Sequence, residues 1–209
     1  MTALLLPLGR MVGTFHGSDD PADHHHEIRR RGAVHELTDT DLAGWLFAHG
    51  PTDPEAPPAP WTRAAVEAHL AGLGVPQPAA LLASLIGRDL LVEVDPDTPD
   101  AVAFARSHQA IPMLYGLGNS AEEPWLFGIG LLGQEMVQVT RPVFELWAWA
   151  HLDNDLWQAC ETFAQDERAA GGTEPEVVDP AQVLAGFLHS VHGLLNVQAV
   201  CLDSGVDQR

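Results

Sequence analysis

Residues 34–49, VHELTDTDLAGWLFAH, recur in altered form as residues 136–151, MVQVTRPVFELWAWAH, and this repeat decides the fold. The two segments align without gaps, so that a threonine, a central tryptophan (Trp45 and Trp147) and a final histidine coincide. Self-similarity at a fixed offset is the mark of repeated structural units. The sequence therefore predicts two related units in one chain.

We place these units at residues 1–110 and 111–209, because about 100 residues is a common domain size. Within each unit, the patterns predict a short strand, then three helices, then a β-hairpin. The predicted class is therefore α+β.

The hairpin of the first unit is predicted from two short apolar runs that flank a turn. Residues 90–94, LLVEV, begin an alternation typical of a strand, residues 95–100, DPDTPD, form the turn, and residues 101–105 pair back. In the second unit the last predicted strand, residues 194–202, has only a short tail to pair with. We therefore expect a reduced second hairpin.

This order of elements resembles the winged helix-turn-helix superfamily, as two tandem units. Most members place the third helix in the DNA major groove, with basic side chains from that helix and the wing on the phosphates. The resemblance also implies a second use, because tandem winged-helix proteins with acidic surfaces serve as adaptors for protein partners.

The charge of the chain favours the adaptor use. The 29 acidic residues outnumber ten basic residues, all arginine, and the formal net charge is −19. DNA binding draws most of its affinity from cations that neutralise phosphates, so this charge opposes it. The alternative, a DNA-binding transcription regulator, would depend on Arg29, Arg30, Arg31 and Arg88.

Histidines offer a further alternative, a metal-dependent enzyme. His24, His25 and His26 lie in a polar segment, residues 18–27, that we expect to be a loop. Short histidine-rich tracts can bind zinc or nickel. Consecutive side chains do not converge on one ion without a tight loop, so a solvated loop is the favoured interpretation.

Exposed tryptophans are the predicted interface residues. Trp149 follows Trp147 by two positions, about 200° around the helix, so the two rings cannot share one buried face. Trp125 is present only in the second unit. We expect both Trp149 and Trp125 to contact the other unit or a partner.

Composition indicates the setting of the protein. The arginine-only, alanine-rich chain suits a GC-rich bacterial genome, and no apolar run reaches the roughly 18 residues of a membrane span. Residues 1–8 lack the basic start of a secretory signal. We therefore expect a cytoplasmic protein with no membrane association.

The resulting prediction is a non-enzymatic interaction or regulatory module without a cofactor. Its expected partner is a protein, with a basic surface as one option. Homodimer formation is an alternative that the sequence leaves open.

Overall fold

A computed structural model describes residues 2–51 and 59–204 of the chain, which divides into two compact units, residues 1–94 and 95–209. The predicted boundary at residue 110 is too late. Residues 95–110 belong to the second unit because they contain its first helix and most of the strand that its last strand pairs with. The predicted α+β class is confirmed.

The first unit begins and ends with strands that pair with each other. Strand β1 is antiparallel to β5, with Leu4 opposite Val94, and between them lie an antiparallel sheet (β2-β3-β4) and three helices. Its elements are β1 (Leu4–Pro7), β2 (Arg10–His16), β3 (His24–Arg30), β4 (Ala33–Leu37), α1 (Asp39–Phe47), α2 (Arg63–Gly72), α3 (Pro78–Gly87) and β5 (Leu91–Val94).

The second unit repeats this plan after one additional helix. Strand β6 is antiparallel to β10, with Pro112 opposite Val200, and they enclose a second antiparallel sheet (β7-β8-β9) and the helices that follow it. Its elements are α4 (Pro99–Ala105), β6 (His108–Pro112), β7 (Tyr115–Gly118), β8 (Leu126–Leu131), β9 (Gln134–Thr140), α5 (Arg141–Trp149), a 3-10 helix (Ala150–Leu152), α6 (Leu156–Ala169), α7 (Pro175–Val178), α8 (Pro180–Asn196) and β10 (Val200–Ser204).

The repeated tryptophans have equivalent roles in the two cores. Both are buried, and the indole N–H of Trp45 donates to the Leu8 carbonyl at 3.1 Å, while that of Trp147 donates to the Ala199 carbonyl at 2.7 Å. Each bond ties a helix to one end of the strand pair that closes its unit. A buried indole needs such a partner, because an unpaired buried donor is costly.

The predicted hairpins after the third helices are wrong. Residues 99–105 form helix α4, in which Ala101, Phe104 and Ala105 are buried at helical spacing, and β5 pairs with β1 instead. A proline at the first helical position is pre-organised for a helix, and here Pro99 starts one. In the second unit, α8 continues to Asn196, so the final strand starts later than predicted. That strand pairs with β6 in full rather than being reduced.

Within the described ranges, 2–51 and 59–204, no helix combines the length and apolar character needed to cross a membrane.

Candidate functional site

Helix α5 of the second unit carries the candidate binding surface. Its buried face includes Val143, Leu146 and Trp147, whereas Trp149 at its end is 62% exposed. The opposite orientations of the two tryptophans follow from the 100° rotation per residue in a helix. The helix therefore presents the Trp149 ring to solvent while Trp147 faces the core.

Two clefts border α5, and Leu146 lines both. The larger, about 430 Å³, lies between α5 and α8 and is lined by apolar residues that include Val143 and Phe187. The smaller, about 140 Å³, lies between α5 and α6, with Phe163 and the exposed Trp149 among its lining residues. Mostly apolar concavities of this kind are the usual form of binding sites.

Carboxylates surround these apolar surfaces. The larger cleft has two among its lining residues and the smaller has three. They are Asp97, Glu176, Glu145, Asp153 and Asp166.

Some of these acids already have partners. Asp97 lies 3.2 Å from His189 Nε2, and the Arg141 guanidinium donates to Glu145 at 3.2 Å. Asp153 accepts a long hydrogen bond, 3.4 Å, from the Thr162 hydroxyl. These contacts leave the clefts with an excess of negative charge.

The whole second unit is acidic. Residues 95–209 contain 17 acidic residues and four arginines, a formal charge of −13, against 12 acidic residues and six arginines, −6, in residues 1–94. A surface with one dominant sign of charge attracts ligands of the opposite sign. The clefts of this unit therefore favour cationic ligands.

The second predicted interface residue, Trp125, is also exposed. It lies in the connection between β7 and β8, with 63% of its surface accessible, and it is not among the residues that line the two clefts. Trp125 and Trp149 thus have equal exposure in different surroundings.

Three of the four arginines of the DNA-binding alternative form contacts within the first unit. Arg30 is 1% exposed and forms an ion pair with Asp89 at 3.3 Å, and Arg31 pairs with the same carboxylate at 3.4 Å. Arg88 donates to the Glu36 carbonyl at 2.6 Å and contacts Asp41.

Arg31 is nevertheless exposed, with 52% of its side-chain surface accessible, and Arg29 is exposed as well. Arg29 lies opposite Arg10 in the register of β2 and β3. The exposed cationic surface from the predicted set is therefore small.

The predicted histidine loop is in part a strand. Strand β3 begins at His24, and its alternation places the side chains of His24 and His26 on one face and that of His25 on the other. His25 stacks on Phe15 and lies 3.4 Å from Glu27. The three histidines therefore do not converge as a set, as expected. The first and third, His24 and His26, do lie on the same face, which was not expected from the sequence.

His24 and His26 converge on Asp39, a residue that the sequence did not indicate as a site residue. Both Nε2 atoms lie 2.8 Å from the same Asp39 Oδ1. One possible metal-ligand atom from each of the three residues lies within 4.8 Å of the other two. Asp39 is the first residue of α1 and follows β4, whose last residue Leu37 lies opposite His26. The His-x-His spacing was the available signal, whereas the partner depends on strand pairing.

Electrostatics at this cluster follows from the two short hydrogen bonds. The bond to Asp39 raises the pKa of His24, with a smaller contribution from the Pro21 carbonyl. The bonds from His26 and His24 lower the pKa of Asp39. The carboxylate therefore stays ionised in the presence of these rings.

No protein-family model, curated protein or solved structure matches this chain. Function is therefore inferred from the residues of the two units.

Proposed function

We propose that this protein is a non-enzymatic interaction module that binds a basic segment of a protein partner in the clefts beside α5. The observation that carries the proposal is the combination of apolar walls, surrounding carboxylates and an exposed Trp149 on one helix. Apolar walls supply affinity by excluding water, and the carboxylates select a partner with positive charge.

The dimensions of the clefts fit parts of a peptide. The smaller volume, about 140 Å³, accommodates one large side chain, and the larger, about 430 Å³, accommodates several. Because Leu146 lines both clefts, a single extended segment of the partner fills the cleft on each side of α5. Trp149 then covers the segment, as aromatic residues commonly do at energetically important interface positions.

The excess of acid weighs against duplex DNA as the ligand. Phosphates would meet the same carboxylates that attract a basic peptide, and most of the arginines of the alternative hypothesis are engaged within the first unit. A cationic peptide is the ligand class that satisfies both the charge and the apolar surface.

Isothermal titration of the full chain with a synthetic peptide of alternating arginine and leucine tests this proposal. We expect binding that weakens as salt is raised, because the charges are exposed to solvent. A matched peptide with glutamate in place of arginine should not bind. Equal affinity for both peptides, or no binding of the basic one at low salt, would refute the proposal.

The two exposed tryptophans form a matched pair of variants. Trp149→Ala should lower the affinity for the basic peptide at least about tenfold, because loss of a central aromatic contact commonly weakens binding by that much. Trp125→Ala removes an equally exposed ring outside the clefts and should leave the affinity unchanged. The reverse result would move the interface to Trp125 and the β7–β8 connection.

Duplex DNA provides the test of the alternative. Steeply salt-dependent DNA binding that is lost in the exposed-residue variant Arg29→Ala would support a DNA-binding regulator instead.

A further inference from the structure

We infer that His24, His26 and Asp39 form a binding site for a divalent first-row transition-metal cation such as Zn²⁺ in the first unit. This site is independent of the clefts beside α5 and adds a ligand that the proposed function does not require. Its residues come from two elements, strand β3 and the start of helix α1.

The chemistry of the three donors suits such an ion. Two imidazole nitrogens and one carboxylate oxygen are ligands that zinc accepts, at about 2.0–2.2 Å. Ligands at those distances around a tetrahedral ion are about 3.3 Å apart. The present 2.8 Å contacts of both Nε2 atoms with Asp39 Oδ1 therefore need to lengthen by only about 0.5 Å to admit an ion. The Asp39 side chain, 73% exposed, is free of packing that would oppose this movement.

A second observation is the orientation of His24 by the backbone. Its Nδ1 lies 2.8 Å from the Pro21 carbonyl, which can only accept, so Nδ1 carries a proton. With Nδ1 held in this way, Nε2 is the ring nitrogen directed at the Asp39 carboxylate. A proton on Nε2 donates to this carboxylate at 2.8 Å, and a metal ion bound by both groups takes the place of that proton.

His26 has a comparable outer partner. Its Nδ1 lies 2.9 Å from the Thr14 hydroxyl, which can accept the ring proton when Nε2 binds a metal. Metal-binding histidines usually donate from their other nitrogen to a carboxylate, a backbone carbonyl or a water molecule, and the Thr14 hydroxyl offers an equivalent acceptor oxygen. Both rings of this cluster therefore have the outer contacts typical of metal ligands.

The rest of the coordination sphere faces solvent. Asp39 is exposed, and His16, opposite His24 in the register of β2 and β3, has its ring 5.5 Å from that of His24. Three protein ligands with an accessible further position describe an exchangeable site rather than a closed structural one.

Titration of the metal-free, untagged full chain with Zn²⁺ tests the inference. We expect one ion per chain. His24→Ala and Asp39→Asn should each lower the affinity for zinc at least about tenfold, since loss of even an outer partner of a metal ligand commonly costs that much affinity. Asp39→Asn removes one ligand charge at an exposed position, so a folded variant is available even if replacement of the buried His26 disturbs the sheet.

His25→Ala is the matched control, because it removes the neighbouring histidine from the opposite face of the same strand. Zinc affinity should not change in this variant. Equal losses in His25→Ala and His24→Ala would show that the tract binds as a disordered histidine cluster, and would overturn the inference. Unchanged affinity in both His24→Ala and Asp39→Asn, or no stoichiometric zinc, would also overturn it.

Discussion

Cys160 is an example of a residue whose chemistry is set by its position in the core. It lies on the inner face of α6 with no exposed surface, and burial raises the pKa of its thiol above the usual range. The thiolate is the reactive form, so burial suppresses reactivity as well as access. Cys201, in β10, is buried as well, and neither of these two described cysteines forms a disulfide.

We therefore expect neither cysteine to react with an aromatic disulfide reagent in the native protein at pH 8. Both should react once denaturant unfolds the chain. The single-cysteine variants Cys160→Ser and Cys201→Ser assign any residual reaction to one thiol. Rapid native-state modification of the Cys201→Ser variant would contradict the buried position of Cys160.

A substitution at Thr14 tests whether the outer hydrogen bond to His26 supports the inferred metal site. Thr14→Val preserves the shape of the side chain but removes the hydroxyl that lies 2.9 Å from His26 Nδ1. We expect zinc affinity to fall by about tenfold, the lower end of the usual cost of losing an outer partner. Unchanged zinc affinity in the titration would show that the hydroxyl does not orient this ring.

At the scale of elements, helices α3 and α8, each predicted as the third helix of its unit, end in the same way. Asp89 after α3 and Gln198 after α8 both adopt left-handed backbone, with φ of 59° and 55°. The next amide in each case donates back into the helix, from Leu90 to the Leu85 carbonyl and from Ala199 to the Leu194 carbonyl. This is a common way to end a helix, and glycine is the preferred residue for it.

Gln198→Gly should therefore stabilise the second unit. A non-glycine residue in left-handed backbone costs roughly 1–2 kcal/mol, partly offset by the greater freedom of glycine in the unfolded chain, which leaves a gain of about 0.5–1 kcal/mol. Urea unfolding measures this difference. Gln198→Ala retains the strained Cβ and should have no such gain, so equal stabilisation by alanine would contradict the explanation.

The sequence repeat indicated this equivalence only in part. It aligned the first helix of each three-helix set correctly, because a gapless match of threonine and tryptophan fixes the register there. The sequence predicted strands at residues 90–94 and 194–202, whereas Leu194 lies within α8, in the position equivalent to Leu85 of α3. Leucine pairs occur in buried helices and strands alike, so periodicity over such short segments does not distinguish them.

At the scale of the whole molecule, each unit closes on itself through its first and last strands. Strand β10 pairs with β6 over residues 108–112, and the buried residues of α8 lie in the same unit. Each unit has the features of an independently folding domain, including its own core.

Fragments that differ at one end test this organisation. The fragment of residues 95–209 should unfold cooperatively by circular dichroism, because it retains α4 and the whole of β6. The fragment of residues 111–209 lacks α4 and most of β6, so β10 loses its partner, and we expect little or no cooperative transition. Equal stability of the two fragments would argue for a boundary near residue 110.

Metal addition provides a second whole-molecule measurement. If zinc binds only the folded first unit, an excess of 100 times its dissociation constant stabilises that unit by about 2.7 kcal/mol. The fragment of residues 1–94 should then melt at a higher temperature with zinc, while the fragment of residues 95–209 should not change. A zinc effect confined to the second fragment would contradict the assignment to His24, His26 and Asp39.

The sequence by itself determined the duplication, the α+β class, the opposite faces of Trp147 and Trp149 and the acidic character, because these depend on local periodicity and composition. Only the tertiary structure decided which strands pair, since the partner of β5 lies more than 80 residues earlier in the chain. It also brought Asp39 to two histidines that alternate along β3. Long-range pairing depends on how all the buried faces fit together, and no short stretch of residues specifies that fit.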